Sequence, residues 1–106
     1  MIVVTSEAIA NHRIVRTLGL VRGNTIRARH VGRDIMAGLR NIVGGEIHEY
    51  TKLMAESREQ TVDRMIAEAT QLGANAIIAT RFTTSVIVGG AAELLAVGTA
   101  VMIEPE

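Results

Sequence analysis

The stretch Arg22–Arg58, RGNTIRARHVGRDIMAGLRNIVGGEIHEYTKLMAESR, decides how the rest of the chain is read. Its hydrophobic period changes along its length. Gly23-Asn24 reads as a turn, and Thr25–Arg29 alternates small or apolar with basic side chains, as a short strand does. Over Arg33–Val43 the apolar residues Ile35, Met36, Leu39, Ile42 and Val43 return at helical spacing instead. Asp34 stands in the first turn of that short helix and Arg40 near its last, each with the sign that suits the helix dipole. Gly44-Gly45 ends it, and a much longer helix begins.

That second helix is predicted over Glu46–Leu72. Ile47, Tyr50, Leu53, Met54, Val62, Met65, Ile66, Ala69 and Leu72 form its apolar stripe, thinning in the middle to Ser57, Arg58 and Thr61. Glu49, Lys52, Glu56, Glu59, Asp63 and Glu68 occupy the other faces. At ~1.5 Å per residue it is roughly 40 Å long, whereas a compact domain of this size has a radius of gyration of about 13 Å. Such a helix spans or overhangs its own fold. Gly73 is placed to end it as the C′ residue.

On the amino-terminal side, Ile2–Thr5 is a short β-rich start. Ile14–Val21 reads as a strand with Gly19 marking a bulge. On the carboxyl side, Ala74–Ile87 and Ala92–Ile103 read as two strands joined at Gly89-Gly90, and Pro105 ends the second. Val86–Ile103 carries one charge, Glu93, which raises the question of a membrane helix. Gly89, Gly90, Gly98 and the β-branched residues argue for a hairpin, and a central carboxylate costs about 2.5–3.5 kcal/mol on insertion. Runs this apolar imply strands covered on both faces, by helices on one side and by a neighbouring subunit on the other. The expected fold class is α+β: a single domain over 1–106, with an antiparallel-rich sheet and one long and one short helix packed on it.

Composition points towards self-association. Of 106 residues, 48% are hydrophobic but only 2% aromatic, Tyr50 and Phe82, so the core is aliphatic. A small domain buries only about 60% of its unfolded surface, and surplus apolar surface is most simply covered by copies of the same chain. Net charge is zero, yet its distribution is uneven. Residues 1–45 carry seven arginines against Glu7 and Asp34, and residues 46–106 carry nine acids against four bases, giving +5 and −5. Either the two halves face each other within or between subunits, or the arginines hold an anion. Nucleic acid is not expected, because no aromatics are interleaved with the arginines and there is no overall positive charge. The start MIVVTSEAI shows no signal peptide, so a cytoplasmic location is expected.

No catalytic signature is spelled out. There is no cysteine, which removes disulfides, thiolate metal sites and thiol nucleophiles. His12, His30 and His48 are far apart. His48-Glu49 begins like a zinc-protease helix, but Lys52 stands where the second histidine belongs. The glycine clusters make no phosphate loop, and Ser6, Ser57 and Ser85 have no histidine or acid at triad spacing. What remains is an anion or metal-ion site built on Arg33, Asp34, Arg40 and Tyr50. Arg33 and Arg40 share one face of the short helix, whose amino terminus adds positive charge. The competing reading pairs these arginines with Glu46 or Glu49 and packs Tyr50 in the stripe. Glu93, a carboxylate on an apolar strand, calls for a partner such as Arg81 or for a place lining an oligomer cavity.

Val21-Arg22-Gly23-Asn24, Arg33-Asp34, Arg40, Val43-Gly44-Gly45, Tyr50, Arg58, Gly73-Ala74-Asn75-Ala76 and Gly98-Thr99-Ala100-Val101 together resemble the YbjQ family over nearly the whole chain. That family comprises small uncharacterised bacterial proteins labelled heavy-metal-binding. The resemblance implies a broadly dodecin-like α+β fold and a ring-shaped homo-oligomer, a pentamer that can pair into a decamer. The metal label finds little help in the residues, which include no cysteine and no cluster of histidines, and with no paired acid and base in view no enzymatic activity is expected. His30 departs from the family pattern, where asparagine is expected.

Overall fold

β-branched and leucine side chains alternating with arginines and threonines carry the chain through one long strand, His12–Arg27, the second in sequence (β2). The computed structural model describes residues 1–27, 48–87 and 91–106. Its elements in order are β1 (Ile2–Val3), β2, α1 (His48–Gln71), β3 (Ala76–Ile87) and β4 (Ala91–Pro105). The short helix expected over Arg33–Val43 and the breaks at Gly44-Gly45 and Gly89-Gly90 lie outside the described residues.

The four strands form one mixed sheet in the order β1-β3-β4-β2. β1 runs parallel to β3, and β4 is antiparallel to both β3 and β2. With α1 packed on this sheet, the molecule is α+β, as expected. The apolar run Val86–Ile103 is confirmed as hairpin rather than helix, since Ile87 pairs with Ala91 and the ladder continues to Ala76 opposite Val101. The bulge expected at Gly19 is present. The β2–β4 register shifts between Thr17 and Gly19, where Gly19 takes a φ of 130°.

Gly23-Asn24 is not a turn. β2 passes straight through it, pairing Gly23 with Ala96 and Asn24 with Leu95. The glycine is needed for a different reason. A Cβ at position 23 would overlap the Thr61 carbonyl oxygen and lie 2.5 Å from the Met65 amide nitrogen, so the bare Cα lets α1 rest directly on the strand. The thin middle of the helical stripe is the other half of this contact. Among the described side chains of α1, Ser57, Thr61, Met65 and Ala69, one residue per turn, form the buried row. Thr61 Oγ1 and Thr25 Oγ1 hydrogen-bond at 3.0 Å inside this interface. Leu72, expected in the stripe, is 46% exposed, because the helix ends one residue earlier.

The core has two parts. Val21, Met65, Ala69, Ile77, Ala96 and Ala100 pack between helix and sheet. On the opposite face, Ala76, Val101 and Ile103 are covered by Ile9 of the loop after β1 and by Ile78. That loop is tied to a bulge in β3. Ala79, at φ 53°, donates its N–H to the Ser6 carbonyl at 2.8 Å, and Thr80 donates to Val4 at 3.1 Å.

The helix ends where Gly73 predicts. Gly73 takes a φ of 84°, its N–H reaches the Thr70 carbonyl at 3.0 Å, and the Ala74 N–H reaches Ala69 at 3.1 Å. These are the paired bonds of a Schellman cap. Asn75 then docks onto β4, donating from Nδ2 to the Ile103 carbonyl at 3.0 Å and accepting the Ile103 N–H at 2.8 Å. Its amide thus continues the sheet before the β3 backbone takes over.

Candidate functional site

Arg33, Asp34 and Arg40 lie outside the described residues. Tyr50 falls in α1, three residues into its described length. The described chain therefore supplies the long helix that carries Tyr50 and the surfaces that flank it.

The lateral position of α1 shapes these surfaces. The helix lies over β2 and β4 and barely reaches β3. Arg64, on the β2 flank, donates from Nη1 to the Asn24 carbonyl at 2.6 Å, which ties the helix to that side. On the other flank, Phe82 of β3 is left 47% exposed. Arg58, Glu59, Val62 and Asp63 of α1 join it to line a groove of about 330 Å3. A second open hollow of about 370 Å3 lies along Glu56, Glu59, Gln60 and Asp63. Carboxylates at positions 56, 59 and 63 stand on one side of a helix, because residues three and four apart are neighbours there.

This flank carries three carboxylates, with the Arg58 guanidinium lining the groove beside two of them. It does not converge as a chelating site would: among the described residues no three histidine, cysteine, aspartate or glutamate side chains come together to hold a metal ion. His12 is occupied locally, with Nδ1 2.8 Å from the Ala10 carbonyl oxygen.

Glu93 finds a partner other than the one expected. Its Oε2 accepts from Asn24 Nδ2 at 3.0 Å. Arg81, the anticipated partner, instead donates from Nη1 to the carbonyls of Thr5 and Thr80, each at 2.8 Å. It therefore clamps the loop after β1 onto the β3 bulge. Arg13 and Glu104 form an ion pair at 2.9 Å with both side chains well exposed, a surface bridge worth at most about 1 kcal/mol.

Sequence reading missed the groove beside Phe82. The helical acids were visible as a polar face, but nothing in the spacing announced that Phe82, some twenty residues on, would stand next to Val62. The available signal was a lone phenylalanine on a strand that, Arg81 apart, is otherwise built of small and β-branched residues.

No described helix is long and apolar enough to cross a membrane. A family model for YbjQ, described as "Putative heavy-metal-binding", matches residues 1–104. A UPF0145 protein of Dehalococcoides mccartyi is 56% identical over 104 residues, 98% of this chain and 100% of that one. One from Methanosarcina acetivorans is 52% identical over 97% of both chains, and one from Pyrococcus abyssi 55% identical over 100% of this chain and 93% of its own. The relatives thus include archaea, which corrects the expectation of a purely bacterial group. A crystal structure of a protein of unknown function of the DUF74 family, from Pediococcus pentosaceus, superposes with a TM-score of 0.65 at 15% identity, covering 98% of each chain. That likeness concerns the fold alone. Matched almost end to end by the family model and by relatives more than half identical to it, this chain belongs to the YbjQ family.

Proposed function

We propose that the protein is a non-enzymatic, cytoplasmic homo-oligomer that binds a metal ion or small anionic ligand where subunits meet, through Arg33, Asp34, Arg40 and Tyr50. The observation that carries the reading is the surplus of unshared surface. The radius of gyration is 17.2 Å, against about 13 Å for a compact domain of this length. The extents of 54 × 27 × 16 Å describe a slab rather than a globule. On the sheet face away from α1, Leu20 is 66% and Ile26 57% exposed. A lone chain of this shape leaves apolar area in water that a neighbour would remove. Ligand groups then come from segments brought to the boundary, and arginine is suited to anions by its fixed fork of donors.

Native mass spectrometry of protein purified without chelator tests this directly. An oligomer carrying a stoichiometric extra mass is expected, and Arg33→Ala with Arg40→Ala should remove that mass while the subunit number stays the same. An oligomer weighing an integer multiple of the bare chain counts against the bound ligand.

A second reading is a scaffold ring in which the same arginines form ion pairs between subunits. The acids Glu56, Glu59 and Asp63 on α1 favour it, since they stand exposed with no described cation converging on all three. In that case the double arginine variant breaks the ring itself.

A further inference from the structure

The amino-terminal segment passes round the edge of the sheet. Val3 packs against the core between α1 and the sheet, and Ile9 packs against the core on the opposite face. Between them the chain crosses β3 at its bulge. Ile78 pairs with Thr99 and Arg81 with Val97, so β3 carries one residue more than β4 there. The β4 ladder passes over Ala79 and Thr80. Their N–H groups go instead to the carbonyls of Ser6 and Val4, at 2.8 and 3.1 Å. Arg81 completes the hold, donating from Nη1 to the Thr5 carbonyl at 2.8 Å.

This bulge is unfavourable in itself. Ala79 takes a φ of 53°, a left-handed conformation in which the Cβ of an L-residue crowds the following carbonyl. Thr80 is 2% exposed, and its Oγ1 meets no hydrogen-bond partner among the described residues. Such a conformation persists only where surrounding contacts over-determine it. Here the acceptors for its two N–H groups both come from the amino-terminal segment.

The sequence beyond the bulge does little to fix the register. Phe82, Thr84 and Val86 alternate with Arg81, Thr83, Ser85 and Ile87, so each set holds a threonine and a β-branched aliphatic residue. Register is weakly specified where the two faces of a strand are this alike. As folded, Phe82 stands opposite Ala96 and lines the groove with Val62 of α1. Without the extra residue, the pairing of Ile78 with Thr99 would run on to place Arg81 opposite Ala96 and Thr84 opposite Glu93. A shift of one residue turns each side chain to the other face. Arg81 then comes to the α1 side, where Glu59 and Asp63 stand with Arg58, and Phe82 leaves it.

We propose that residues 3–9 act as a clamp on the register of β3. Docked, they hold the bulge and keep Phe82 in the groove beside α1. Released, they let Arg81–Ile87 slip by one residue, so that Arg81 replaces Phe82 there. The device belongs to the single chain and does not depend on its assembly.

The chain has no cysteine, so disulfide trapping can read the register. Ser85 lies opposite Glu93 as folded, and Thr84 takes that place after the slip. Ser85→Cys with Glu93→Cys and Thr84→Cys with Glu93→Cys are each made in the full chain, with the clamp intact or loosened by Val3→Ala and Ile9→Ala. All are equilibrated in a glutathione buffer, and the intramolecular disulfide is read from the denatured mass. With the clamp intact, the 85–93 disulfide is expected to dominate. Loosening should raise the 84–93 yield at least tenfold, and adding Ala79→Gly, which relieves the bulge, should lower it again. An 84–93 yield that the loosened clamp does not move overturns the proposal. Hydrogen exchange reads the same clamp in the unaltered chain: the amides of Val4, Ala79 and Thr80 should open together and ahead of Val101 in β4. Protection of Ala79 and Thr80 equal to that of Val101 overturns a separable clamp.

Discussion

Gly23 and Gly98 show how differently the absence of one methyl can act. At Gly23 the space is taken by helix backbone, which cannot move without lifting α1 from the sheet. At Gly98 a Cβ would meet one side-chain atom, Ile77 Cγ2 at 2.6 Å, which moves only with χ1 of a buried β-branched residue, and the Ile78 carbonyl and Thr80 Oγ1 at 3.2 Å. Gly23→Ala should therefore cost about 3 kcal/mol, at the upper end for overpacking, and Gly98→Ala clearly less. Urea unfolding of the two variants checks the ranking, and an equal or reversed order would show that the helix yields more readily than a side chain. Neither role was legible beforehand. Gly23-Asn24 carries the local signature of a turn, and close approach of a distant helix leaves no trace in neighbouring residues. Gly73 was legible, because a cap depends only on residues within one turn of it.

The contact of α1 with β2 has an unusual polar centre. Thr25 is 3% exposed and Thr61 fully buried, and each satisfies the other's hydroxyl. Small side chains are what the close approach over Gly23 requires, and a hydroxyl is tolerated there only when paired. Thr61→Val leaves the Thr25 hydroxyl stranded and should destabilise by about 1–3 kcal/mol. Thr25→Val with Thr61→Val removes both partners at nearly constant shape and should regain most of that loss. Thermal unfolding of the two singles and the double measures the coupling, and simple additivity would mean that the bond contributes nothing. The sequence showed where the stripe weakens at Ser57 and Thr61, but not that this weak point is the tightest part of the packing. Hydrophobic periodicity scores apolar area, whereas the helix–strand distance here is set by side-chain size.

For the molecule as a whole, the uneven charge is the feature most easily seen in the chain and most changed by folding. Arg29, Arg33 and Arg40 of the +5 half lie outside the described residues. Among the described residues Arg13, Arg16 and Arg22 lie on the edge strand β2, while Glu56, Glu59 and Asp63 of α1 line the hollows on the Phe82 side together with Arg58. If oppositely charged sides hold neighbours together, raising salt from ~0.1 to ~1 M shortens the screening length from about 10 Å to about 3 Å and should shift the assembly towards smaller species. Light scattering across that range reads the effect. An assembly that holds or tightens with salt would instead assign it to apolar cover of Leu20 and Ile26, which excluded salts strengthen.

Local grammar alone determined the class of this fold: the helical period before Gly73, the bulge glycine at 19, the hairpin in place of a membrane span, and the family pattern spread over the chain. Each rests on residues close in sequence, where dihedral preference and spacing act directly. Only the tertiary structure decided that β2 continues through Gly23, that α1 sits off-centre over β2 and β4, and that Glu93 turns to Asn24 while Arg81 holds the loop after β1. It also decided that Phe82 stands beside the helical carboxylates and Arg58. These depend on which distant backbones approach and how closely. That is governed by the packing of side chains whose partners lie some twenty to seventy residues away, beyond the reach of any local pattern.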